Sequence, residues 1–138
     1  MLQKLNSKRG GFTLVEIMIV VAIIALLASI AVPNFLRSRK RSQATQVLED
    51  LRLIDAAVDQ YAIENNKKAT ETVTWDDVRK YLKTGTRLET SGGVDILSGA
   101  FTTPFVVDEI PQVPVGTYNA VSDVAPKAFW GPHGTTLP

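Results

Sequence analysis

Between Phe12 and Leu36 the chain carries one ionisable side chain, Glu16, and from Ile17 to Val32 nearly every residue is Ile, Val, Leu, Ala or Met. As a helix these roughly 25 residues extend about 37 Å, enough to cross a hydrocarbon layer of about 30 Å. A helix apolar on every side needs cover on every side, and the remainder of a 138-residue chain is too small to supply it. A secretory signal has an apolar region of only about 7–15 residues, with small residues at the cut that follows it. Here the run is longer, and Gly10-Gly11 stands before it. The physical reading is a retained membrane helix. Its flanks do not orient it, because Lys4, Lys8, Arg9 and the amino terminus on one side face Arg37, Arg39, Lys40 and Arg41 on the other.

Beyond Arg41 the apolar residues contract to a stripe. Val47, Leu51, Ile54, Val58 and Tyr61 recur at helical spacing, while Glu49, Asp50, Arg52, Asp55 and Asp59 occupy the other faces. The spacing predicts one helix from about Thr13 to Glu64, stopped by Asn65-Asn66 and interrupted at Pro33, where a lost backbone donor and a ring clash predict a kink or a melted turn. "TWDDVRKYLKTG" predicts a short second helix, capped by Thr74 and closed by Gly85. Short β-prone runs at Val94–Leu97, Phe105–Asp108 and Thr117–Val121 then lie among Gly, Pro, Ser and Thr, which predicts a small antiparallel sheet with long loops. The tail, "FWGPHGTTLP", reads as a loop pinned by Phe129 and Trp130. The fold class is therefore α+β, in four parts: a basic leader at 1–11, an apolar helix at 12–36, its amphipathic continuation at 37–66 and a globular head at 67–138.

Glu16 is the anomaly in this scheme, since a carboxylate inside a membrane segment costs energy even near a helix start. Cleavage between Gly11 and Phe12 would create an α-amine four residues before it, within reach of a carboxylate on the same or a neighbouring chain. In an apolar bundle that pairing is strongly favoured over an unpaired charge.

"RGGFTLVEIMIVVAIIALLASIAVPNF" closely resembles the N-terminal motif of the type IV pilin and pseudopilin family, which prepilin peptidase cuts. The resemblance implies a pilin-like fold, with the long helix packed on a small antiparallel sheet. It implies Gly11 as the last leader residue, Phe12 as the N-methylated mature terminus, Glu16 as the assembly residue that pairs with a neighbour's terminus, and Pro33 as the site of the helix kink. It orients the leader to the cytoplasm and the head outward, so that Arg37–Arg41 would meet outer headgroups or acidic faces of neighbours. The implied function is a structural subunit of a type IV pilus or pilus-like filament. The alternatives are a pseudopilin of a type II secretion system and a membrane-anchored binding module that never polymerises. The implied partners are copies of the same chain in a helical filament, prepilin peptidase, an inner-membrane assembly platform and, before assembly, membrane lipid. The chain departs from many type IV pilins in lacking cysteine, which removes the disulfide that closes their C-terminal loop.

Other chemistry has little behind it. Fifteen basic residues against 14 acidic ones give no global field for nucleic acid. His133 is the single histidine, and Asp95, Asp108, Glu109 and Asp123 offer oxygen ligands at spacings unlike an EF-hand loop. No metal or cofactor is expected, and neither a nucleophile motif nor a phosphate loop points to an enzyme. Trp75 and Trp130 are expected in the head core.

Overall fold

The computed structural model describes residues 10–138; Lys4, Lys8 and Arg9 of the leader lie outside the described residues. The chain divides between Leu36 and Arg37 into two compact units. Helix α1, Leu14–Glu64, contributes to both.

In the first unit α1 is exposed along its whole length, with Leu14, Met18, Leu26, Leu27 and Ile30 each more than 60% accessible. By length and composition it is able to cross a membrane. The helical assignment runs through Pro33, so no melted turn interrupts it. The proline has no N–H to offer the Ser29 carbonyl one turn back, the bond an ordinary residue would make.

The second unit holds the core. Ala44, Val47, Leu48, Leu51, Ile54, Ala57, Val58 and Ala62 form the buried stripe of α1, spaced as an amphipathic helix requires. Tyr61 packs at its margin. Asp50, expected on an outward face, is buried instead, and its Oδ2 accepts from Arg87 Nη2 at 2.6 Å. A hydrophobic count along the helix cannot find this, because the partner lies 37 residues away. The helix ends where Asn66 adopts φ of 50°, Lys67 N–H reaches back to the Ala62 carbonyl and Asn66 N–H to that of Ile63. This is a Schellman stop, with asparagine in the left-handed position that glycine usually fills.

Strand β1, Thr72–Val73, pairs antiparallel with β2, Phe105–Val106, with Thr72 opposite Val106 and Val73 opposite Phe105. Past Thr72 and Val106 the ladder continues, with Val107 N–H donating to the Glu71 carbonyl and Thr70 N–H to that of Val107. The sheet is smaller than the sequence suggests: Val94 makes only an isolated bridge to Ala100, and Thr117–Val121 is helical. Helix α2, Trp75–Arg79, starts at Thr74 as expected but stops before Lys80, and α3 spans Arg87–Thr90. Helix α4, Val115–Val121, follows Pro114 at its N-cap. Thr117 and Val121, four apart, are buried, whereas Asn119 between them is exposed. A strand would have sent all three to the same face, so the helical period wins over β-propensity here.

The tail is not an open loop. Lys127–Gly134 forms 3-10 turns broken at Gly131, and Trp130 is fully buried, its Nε1 donating to the Ala125 carbonyl at 3.1 Å. Gln112 fastens the last residues, donating to Pro132 O and accepting from Thr135 Oγ1 and Thr136 N. Polar contacts hold in place a C-terminal segment that has no disulfide.

Candidate functional site

The described chain begins with Gly10 and Gly11, both exposed, non-helical and with open space where a Cβ would stand. The Gly11–Phe12 bond therefore lies in non-helical, uncovered chain just ahead of α1. Phe12 is 83% accessible.

Glu16 is not unpartnered in the uncut chain. Its Oε2 accepts from Thr13 N–H at 2.7 Å and from Thr13 Oγ1 at 2.9 Å, while Glu16 N–H donates to Thr13 Oγ1 at 3.2 Å. Thr13 precedes the first helical residue, Leu14, and Glu16 stands three positions after it. The arrangement is a capping box, which satisfies two otherwise orphaned donors and starts the helix at a fixed residue. Sequence reasoning missed it although the signal was available: T-L-V-E is a Thr-x-x-Glu pattern directly ahead of an apolar run. A leucine at position 16 would leave the helix start open, so the carboxylate has a local purpose before any partner arrives. Phe12, Ile17, Ile19 and Val20 form an open apolar hollow beside it.

The basic cluster after the apolar run divides in two. Lys40 Nζ pairs with Asp123 at 3.2 Å. Arg41 donates from Nη1 to the Val124 carbonyl and lies 4.0 Å over the Phe129 ring. Arg37 and Arg39 are exposed and make no ion pair or side-chain hydrogen bond among the described residues.

Two of the remaining candidates, His133 and Asp95, hold the head together. His133 is buried, with Nδ1 2.8 Å from the Pro111 carbonyl. Asp95, also buried, accepts at Oδ1 from Leu97 N (2.7 Å) and Gly99 N (2.8 Å) and at Oδ2 from Thr117 Oγ1. It fixes the 95–99 turn against α4. Asp108, Glu109 and Asp123 are exposed, and no group of three potential metal ligands occurs among the described residues. Trp75 packs against the core and Trp130 lies within it.

Residues 6–32 match the family described as the prokaryotic N-terminal methylation motif. The chain is 36% identical over 64 residues to type II secretion system core protein G of Klebsiella pneumoniae, covering 46% of each chain. It is 35% identical over 65 residues to the protein of the same name from Escherichia coli K12, covering 47% of this chain and 45% of that one. It is 39% identical over 64 residues to the type IV major pilin protein PilA of Myxococcus xanthus, covering 46% of this chain and 29% of that one. The matches thus span about half the length of these relatives or less. No solved structure matches the chain.

Proposed function

We propose that this chain is a prepilin-like precursor, cut between Gly11 and Phe12, N-methylated at Phe12, anchored in the inner membrane by residues 12–36 and then assembled into a helical filament. The observation that carries the reading is R-G-G-F-T-L-V-E running, without a gap, into an exposed, capped helix long enough to span a bilayer. The methylation-motif match over the same residues supports it.

The chemistry of assembly follows from Glu16. Before cleavage the carboxylate is held by Thr13. Cleavage sets an α-ammonium at Phe12, one turn from Glu16, inside an apolar surround. Removing residues 1–11 takes three basic groups and no acid, so the net charge passes from +1 to −2. In a bundle of such helices, each Glu16 offers the one carboxylate within the apolar segment that can neutralise a terminus, on its own chain or on a neighbour. Pairing rewards a register in which the two meet, and the apolar flanks drive the packing. Prepilin peptidase and an inner-membrane assembly platform are the partners this route requires. The leader is cytoplasmic and the head lies outside, and the role is structural rather than catalytic.

Relatives named as a secretion-system core protein and as a major pilin make two destinations for the same subunit: a periplasmic pseudopilus and a surface pilus. Shearing surface filaments from producing cells and reading the N-terminal peptide by mass spectrometry tests the proposal. N-methylated Phe12 at the start of the chain is the expected result. Recovery in the sheared fraction marks a pilus, and retention of the same processed form by the membrane marks a pseudopilus. Chains that keep residues 1–11 in every fraction would overturn the reading.

A further inference from the structure

Four cations follow the apolar run within five residues, and the structure gives them unequal surroundings. Lys40 and Arg41 are engaged by Asp123, Val124 and Phe129. Arg37 and Arg39 remain exposed and without a side-chain partner among the described residues, on a helix that is regular through both positions. Leu14 to Leu36 is about 23 residues of helix, roughly 34 Å, so a span that fills the hydrocarbon brings Arg37 to its border. Two positions apart on a helix, Arg37 and Arg39 project to nearly opposite sides and bracket the helix where it emerges.

We infer that Arg37 and Arg39, one on each side of the emerging helix, each bind the phosphodiester group of an anionic phospholipid in the head-side leaflet. The inference rests on the membrane anchoring proposed above. The guanidinium presents paired N–H donors that match two phosphate oxygens, and its aliphatic stem lies comfortably along acyl chains while the head reaches the interface. Lys40 and Arg41 cannot serve as freely, since each would first leave its protein partner. The site is a property of the membrane-stored subunit: a chain that leaves the bilayer for a filament gives up these lipid contacts, so anionic lipid favours storage over extraction.

The test uses the full chain reconstituted in vesicles of phosphatidylcholine with and without phosphatidylglycerol, followed by extraction into lipid nanodiscs and mass spectrometry of the co-purified lipid. Flotation after alkaline wash reports anchoring separately. Wild type is expected to float in both compositions and to enrich phosphatidylglycerol. Arg37→Gln/Arg39→Gln is expected to float equally but lose most of that enrichment, by about fivefold per arginine. Lys68→Gln/Lys83→Gln, which removes the same charge from exposed sites elsewhere, is expected to retain it. Flotation without enrichment, or equal loss in both double variants, would overturn the lipid site and leave anchoring intact. Failure to float would overturn the anchoring, and this inference with it.

Discussion

At position 16 two tasks meet in one side chain, and substitutions can separate them. Glu16→Gln keeps an oxygen that can accept from Thr13 but carries no charge, whereas Glu16→Leu loses both. Both variants should therefore fail to enter sheared filaments, while only the leucine variant should fray the first turn of α1. Hydrogen exchange at the amides of Thr13 to Ile17 in detergent reads the difference. Thr13→Ala should fray the same turn, at a cost of about 1 kcal/mol, yet retain assembly. Assembly by Glu16→Gln at the wild-type level would show that the cap alone explains the carboxylate. In the head, Gly99 has a comparable constraint of space. A Cβ there would fall 2.7 Å from Asp95 Oδ2 and closer still to Thr117 Oγ1, both of which are buried. Gly99→Ala should destabilise the full chain by about 1–3 kcal/mol through overpacking, seen as a lower thermal midpoint in detergent. Gly116→Ala, with open space at its Cβ, should be close to neutral.

Elements differed in how legible they were, and the difference has a physical cause. Helix α1 could be read end to end because its apolar residues repeat within the element, and its stop could be read from Asn65-Asn66 because local capping chemistry decides it. Thr117–Val121 misled because Val, Tyr and Thr suit a strand, while the burial of Thr117 and Val121 is set by Asp95 and the core rather than by neighbours in sequence. β1 was invisible for the same reason: two residues, Thr72–Val73, become a strand only because Phe105–Val106 lies beside them. The Thr13–Glu16 box was local and therefore readable. The Asp50–Arg87 pair was not, since it joins the middle of α1 to α3. That pair carries a prediction of its own. Asp50 is largely buried and Arg87 partly so, and burial outweighs the attraction of Arg87 enough to raise the Asp50 pKa above the ordinary aspartate range. Such a pair adds little over apolar packing but is costly to break. Arg87→Met alone should therefore cost about 2–3 kcal/mol by leaving Asp50 unpaired. The double variant Asp50→Leu/Arg87→Met should recover most of that loss, as a double-mutant cycle on thermal unfolding would measure. An additive double variant would refute the coupling.

Taken over the whole molecule, the titrating carboxylates fall into two sets that pull the stability in opposite directions with pH. Asp50 and Asp55 are raised, both chiefly by burial, with Asp59 adding to Asp55. For a raised acid the folded state holds its proton more tightly than the unfolded chain, so stability increases as pH falls through the folded pKa. Glu64, Asp77 and Glu89 are lowered, by the Tyr81 hydroxyl, by Thr74, and by Arg79 with the Gly85 N–H, respectively. For a lowered acid the stabilisation is fully present above the unfolded pKa and is lost as pH falls through the folded one. The raised set acts above the ordinary carboxylate range and the lowered set within and below it. The thermal midpoint of the full chain in detergent should therefore rise slightly as pH is lowered from neutral, pass through a maximum on the acidic side, and then fall. Asp50→Asn should flatten the rise without moving the fall, because it removes a group from the first set only. Glu89→Gln should make the fall shallower and leave the rise in place. A midpoint that declines steadily from neutral pH in wild type, and less steeply in Asp50→Asn, would mean that the Arg87 pairing outweighs burial at Asp50 and would reverse the sign argued for that residue.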